Sequence, residues 1–255
     1  MTLVKNDIPI LEYDTNPVSI VDAPCERTLP GLCIMTFFRE VLDDFVKKYN
    51  ARHSGTYVSE MRPFEIYTAV VDGTEICIAP GLVGAPSAAM IAEYLFSHGV
   101  DTLIVCGSCG ALEPIPAGDV IIPIKALRDE GTSYKYLPPA RFIELDEGPR
   151  NALKQALDVR KVGYIETATW TTDAFCRETA EMVEHRRSEG CAVVDMECSV
   201  FAAVAKYRSK RFGQLLYSGD VLSDADNYDD RNWYSNTSAR ERLFELALDG
   251  LLRLK

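Results

Sequence analysis

The chain has 255 residues, 47% of them hydrophobic, and a formal net charge of −11. This length suits one large α/β domain, and the charge excludes a broad nucleic-acid surface, which needs clustered Lys and Arg. A pocket for one small anion needs only a few basic groups and is not excluded.

No run approaches the roughly 20 apolar residues of a membrane helix, and the opening "MTLVKNDIPILEYD" lacks the pattern of a signal peptide. The eight cysteines sit mostly in apolar segments. They read as reduced thiols packed as small hydrophobes, which points to the cytoplasm.

Residues 1–30, with four prolines, read as an irregular lead-in to a single domain over 1–255. "GLCIM" (31–35) is a buried strand, and "FREVLDDFVKKY" (38–49) a helix with Val41, Phe45 and Val46 on one face. "EIYTAVVDGTEICIAPG" (65–81) is a hairpin turning at Asp72-Gly73. "APSAAMIAEYLFSHG" (85–99) is a helix with Pro near its start and Gly at its end. Then come the strand "DTLIVCG", the strand "GDVIIPIKAL", the helix "GPRNALKQAL" and the strand "KVGYIETATWT" (161–171). A polar helix "ETAEMVEHRRSEG" leads to the strand "CAVVDME", the helix "CSVFAAVAKYRSK" and the strand "RFGQLLYSGD" (211–220). The last element is an amphipathic helix, "TSARERLFELALDGLLRLK". Apolar strands alternating with helices imply a three-layer α/β/α fold around a mixed, largely parallel sheet. Ligands gather at the carboxyl ends of such strands.

Cys106-Gly107-Ser108-Cys109-Gly110 raises two readings. Zinc needs further ligands at matching spacing, which His53, His98 and His185 do not supply. A redox C-x-x-C needs a helix after it, and Gly110-Ala111-Leu112-Glu113-Pro114 is a poor one. A glycine turn at a strand end, with backbone N–H groups and the Ser108 hydroxyl serving an anion, is the better reading. Two acids stand out. Glu197 sits between Met196 and Cys198 where a strand gives way to a helix, and Asp220 follows "LLYSG". Either could be a bland helix-terminal or turn acid. Trp170 closes a strand as core or as a stacking surface.

Three ordered motifs resemble the type-I nucleoside phosphorylases, the purine nucleoside and uridine phosphorylase family. They are "GLVGAPSAAMIAEYLFSHGVDTLIVCGSCGALEPIPAGDVIIP" (81–123), "VVDMECSVFAAVA" (193–205) and "YSGD" (217–220). The resemblance implies phosphate held by Ser108 and Gly107 of the glycine loop, by Arg39, and by Arg62 donated from a neighbouring subunit. It implies ribose held by Met196 and Glu197, and a base against Trp170 and Val194. Asp220, positioned by Arg231, would assist departure of a purine as a general acid. Uridine-cleaving members use a Gln/Arg pair after the Trp170 strand, where this chain has Arg177 but no Gln.

The expected activity is phosphorolysis of a nucleoside, with inorganic phosphate as co-substrate, no metal or organic cofactor, and a homo-oligomer (a dimer or a trimer of dimers). The expected partners are the nucleoside and phosphate, with no nucleic acid and no membrane. The departure from the pattern is Val105, where the family carries an arginine. Arg128 is a candidate to compensate. Val105 keeps open a nucleosidase that attacks with water, and a nucleoside-binding protein without turnover. A C-x-x-C oxidoreductase stands as a third alternative, which requires a low-pKa thiol at Cys106.

Overall fold

A computed structural model describes residues 2–21, 27–223 and 228–255. The lead-in carries only two short paired strands, β1 (Leu3–Val4) and β2 (Tyr13–Asp14). The body runs β3 (Leu32–Thr36), α1 (Arg39–Lys48), β4 (Arg52–Val58), β5 (Pro63–Val71), β6 (Thr74–Pro80) and α2 (Ala85–Ser97). It continues with β7 (Thr102–Ala111), β8 (Val120–Asp129), β9 (Phe142–Glu144), α3 (Glu147–Val159) and β10 (Tyr164–Thr172). The chain then forms α4 (Ala180–Ser188), β11 (Cys191–Asp195), α5 (Cys198–Tyr207), β12 (Arg211–Val221) and α6 (Thr237–Leu252).

The large sheet has the order β11-β10-β8-β12-β7-β3-β6-β5-β4, with β9 on β8. The β3–β6, β3–β7, β7–β12, β8–β10 and β10–β11 pairs are parallel. One half closes on itself, because β11 also pairs antiparallel with the end of β7. Helices cover both faces, giving the three-layer α/β/α arrangement. Ile91 and Leu95 of α2 and Val200 and Phe201 of α5 bury against one face. Phe45 of α1, Leu153 of α3 and Leu246 of α6 bury against the other.

The hairpin at Asp72-Gly73 forms as its sequence dictates, joining β5 to β6. Strand β4 carries a polar sequence at the sheet's edge, and its residues are half-buried or exposed, so hydrophobic alternation does not reveal it. The larger difference lies at residues 106–110. They form no turn: β7 continues through Ala111 with Cys106 and Cys109 inside it.

Candidate active site

Residues 107–109 mark a break in the sheet. On one edge of β7, pairing with β3 stops at Cys106 and pairing with β11 begins at Gly110. On the other edge β12 runs alongside without interruption, Leu216 to Ser218 facing Gly107 to Cys109. Gly107-Ser108-Cys109 therefore fronts a crevice between the ends of β3 and β11, as expected where neighbouring strands diverge. Ser108 is half-buried there. Phe37, directly after β3, forms the near wall. A Cβ added to Gly81 would lie 2.7 Å from its ring and one on Gly107 would lie 3.0 Å away, so both glycines are required by the ring's close approach.

The far wall is the β11–α5 junction. Glu197 is 7% exposed, and its Oε1 accepts a 2.7 Å hydrogen bond from the N–H of Gly84. Gly84 has φ +90° just ahead of α2, a conformation that favours glycine. Burial, aided by the neighbouring Asp195 charge and opposed by the Gly84 N–H, pushes the Glu197 carboxyl up to about 8. Met196 beside it is half-buried.

The third wall comes from β12. Its pairing with β7 shifts between Ser218 and Val221, a bulge that contains Gly219 and Asp220. A Cβ on Gly110 would lie 2.6 Å from Leu222, 2.9 Å from Val194 and 3.2 Å from Asp220 Oδ1, so these three side chains converge on that glycine. Asp220 Oδ2 accepts a 3.1 Å bond from the Tyr228 hydroxyl, and burial raises its carboxyl above the ordinary value. Beside it opens a cavity of about 360 Å³ lined by Phe175, Glu178, Val183, Asp220, Leu222 and Tyr228. Burial, with the Asp220 charge adding to it, pushes Glu178 up to about 8.

These observations correct the expectations for Trp170, Arg231 and Arg128 and show where Arg39, Arg62 and Val105 lie. Trp170 is buried and not an open stacking surface. It is 1% exposed, its indole N–H donates to Asp129 at 2.9 Å, and Arg186 lies 5.4 Å from the ring centre. Phe175, five residues on and 61% exposed, and Tyr228, 62% exposed, are the exposed aromatics among the residues lining the Asp220 cavity. Arg231 does not hydrogen-bond Asp220; it donates to the Ile115 carbonyl at 2.9 Å and to Ser218 Oγ at 3.2 Å, acting on Asp220 through its charge. Arg39 extends from the first turn of α1 with its side chain 83% exposed and 3.8 Å from Asp43. Arg62 lies exposed between β4 and β5, 4.7 Å over the Phe64 ring. Val105 is fully buried on the α2 and α5 face. Arg128 is spent on Ser133, Leu137 and Pro138 and is 4% exposed.

The thiol reading fails on geometry. Cys106 and Cys109, three positions apart in a strand, face opposite sides and pack in different clusters. Both thiols are pushed up by burial, Cys106 to about 12, the reverse of a reactive cysteine.

The end of β7 and the strands beside it thus carry a serine hydroxyl, a buried glutamate, an aspartate raised by burial, and an aromatic-edged cavity at that aspartate. Residues 32–252 match the family described as the phosphorylase superfamily. The chain belongs to the phosphorylase superfamily. Within it, the chain is 30% identical over 163 residues to a guanosine phosphorylase of Halorubrum lacusprofundi, covering 62% of this chain and 66% of that protein. It is 29% identical over 195 residues to a DeoD-type purine nucleoside phosphorylase of Brevibacillus brevis, covering 73% and 79%. The fold matches a Toxoplasma gondii purine nucleoside phosphorylase at TM-score 0.78 and 19% identity, over 92% of this chain and 98% of that one. It matches a Vibrio fischeri uridine phosphorylase at 0.76 and 23%, over 90% and 95%. This superfamily member carries no helix among its described residues long and apolar enough to cross a membrane.

Proposed function

We propose that this chain cleaves the N-glycosidic bond of a purine nucleoside and transfers the pentosyl group to inorganic phosphate. The observation that carries the reading is the break in β7 at Ser108, with Asp220 beside Gly110 and Glu197 just beyond the end of β11, the strand that takes up pairing there. Glu197 binds the sugar hydroxyls, with Met196 against the sugar. A phosphate oxygen beside Ser108 attacks C1′ as the bond from C1′ to the base nitrogen breaks, its electron pair passing to the base. Asp220 gives or shares a proton with the departing purine, which neutralises the charge developing there. The products are the free base and the (deoxy)ribose 1-phosphate. Val194 and Phe175 contact the base. The purine and guanosine phosphorylases among the relatives support this substrate class, and the free cysteines suit a reducing cytoplasm.

Arg62 acts from a second copy in this reading. Val58 and Met61, 73% and 89% exposed in the same hairpin, support a homo-oligomeric contact there. A second reading, hydrolysis, is favoured by one observation: the Phe37 ring packs against Gly81 and Gly107, next in the chain to Ser108. A panel of purine and pyrimidine nucleosides incubated in phosphate buffer tests the main reading. Base release from purine nucleosides is expected. Release from uridine alone overturns the base assignment, and no release from any nucleoside overturns the activity.

A further inference from the structure

Asp195 ends β11 two residues before Glu197 and is 6% exposed. Among the described residues, every hydrogen bond at its carboxyl is donated to it. Oδ1 accepts from Thr169 at 3.0 Å and Thr171 at 2.8 Å; Oδ2 accepts from the backbone N–H of Glu197 at 2.9 Å and of Cys198 at 2.6 Å. Burial raises its proton affinity, but four donors and no acceptor suit the ionised form, which accepts only. The threonines share one face of β10, and the parallel register places Thr171 directly opposite Asp195. Thr171 also accepts from the Ser199 N–H at 3.1 Å, so the first N–H groups of α5 are satisfied within the protein and are not left for a ligand.

We propose that Asp195 is a positioning residue for Glu197, fixing its main chain so that Gly84 occupies one carboxyl oxygen and the other is kept for the sugar. This rests on the reading of Glu197 as the sugar-holding group. The fixed charge has a second consequence. Around Glu197 stand Asp195 at the end of β11 and Asp173 beyond β10, both opposing its ionisation, and the N–H groups of Gly84 and Met196, which favour it. The Cys198 thiol alongside is itself pushed up by burial and both carboxylates. Glu197 therefore stays protonated at neutral pH, with its free oxygen donating to one hydroxyl and accepting from another. Ionisation makes that oxygen a charged acceptor for both hydroxyls, and charge-assisted bonds are the stronger ones, so sugar binding strengthens as pH rises through the Glu197 transition.

The test is a ¹³C NMR titration of the full chain labelled at glutamate Cδ, without ligand, the Glu197 signal being assigned by its loss in Glu197→Gln. Wild type and Asp195→Asn are compared, and kcat/KM for a purine nucleoside is followed over the same pH range. The expected wild-type midpoint is about 8. In Asp195→Asn the midpoint falls by about one unit, a tenfold loss of proton affinity, and the rise of kcat/KM with pH moves with it. A purely structural Asp195 would lower the melting temperature and leave the midpoint in place; that result overturns the proposal. If Asp195→Asn does not fold, Asp195→Glu decides, because it keeps the charge but displaces the carboxylate from the Glu197 and Cys198 N–H groups: a several-fold fall in kcat/KM is expected, and an unchanged kcat/KM overturns the proposal. The NMR shift needs no substrate, so a chain that shows it but cleaves nothing refutes the assigned reaction and supports the role of Asp195.

Discussion

Asp220 and Glu197 are carboxyl groups under the same pressure from burial, yet their surroundings suit them to different tasks. Glu197 is tied to a backbone N–H, whereas Asp220 meets a phenol hydroxyl, a nearby guanidinium and an apolar-edged cavity. Asp220→Asn removes the acid and keeps the shape, so kcat/KM for a purine nucleoside should fall about 10²-fold or more, with KM little changed. Steady-state kinetics checks this, and an unchanged kcat places the proton source elsewhere. Gly110→Ala should act indirectly. Its new Cβ would sit 2.6 Å from Leu222 and 3.2 Å from the Asp220 carboxyl, so both must move. Overpacking of this kind costs about 1–3 kcal/mol, which urea denaturation can read. Loss of activity beyond the loss of stability would locate the damage at Asp220.

At the scale of elements, the site depends on where pairing stops along β7. The residues of that strand were visible in the sequence, but its continuation past Gly107 was not. Gly107 and Gly110 look like turn residues, and only the Phe37, Leu222 and Val194 side chains, distant in sequence, explain them as strand positions of close approach. Glu197 and Asp220 were legible because each closes an apolar run. Phe175 was not, because nothing in "TTDAFCRET" distinguishes a cavity-lining aromatic from an exposed one. Trp170 misled because a strand-end aromatic reads the same whether it faces the crevice or, as here, Asp129 and Arg186. The Phe37 ring supplies a prediction at this scale. Phe37→Ala vacates the space against Gly81 and Gly107, next to Ser108 in the chain, so the KM for phosphate should fall several-fold with the nucleoside KM little altered. A phosphate KM that rises instead would show that the ring helps to form the anion site.

For the whole molecule, the raised carboxyls bear on stability. Glu197 and Glu178 keep protons to about 8 when folded, against 4.5 for an unperturbed glutamate. Between those values the folded chain binds more protons than the unfolded one, so their contribution weakens as pH rises from 4.5 to 8. Glu189 works the other way. Hydrogen bonds from Arg141 and Arg186 draw it down to about 2, and its contribution, complete above 4.5, is lost as pH falls towards 2. The ligand-free protein should therefore resist urea better near pH 5 than near pH 8. Equal midpoints would contradict the buried, protonated state of these glutamates. Assembly gives a second prediction. If Arg62 serves a neighbour's site, mixing inactive Arg62→Ala and Glu197→Gln chains should restore activity, because some mixed pairs hold one intact site. No recovery after verified subunit exchange would confine each site to one chain.

The central claim is that the crevice at the β7 break transfers a pentosyl group to phosphate. The direct measurement is ³¹P NMR of the reaction with a purine nucleoside and inorganic phosphate, alongside a phosphate-free control. One equivalent of sugar 1-phosphate is expected for each base released, with no release in the control. Base release without phosphate, yielding free ribose, would contradict it.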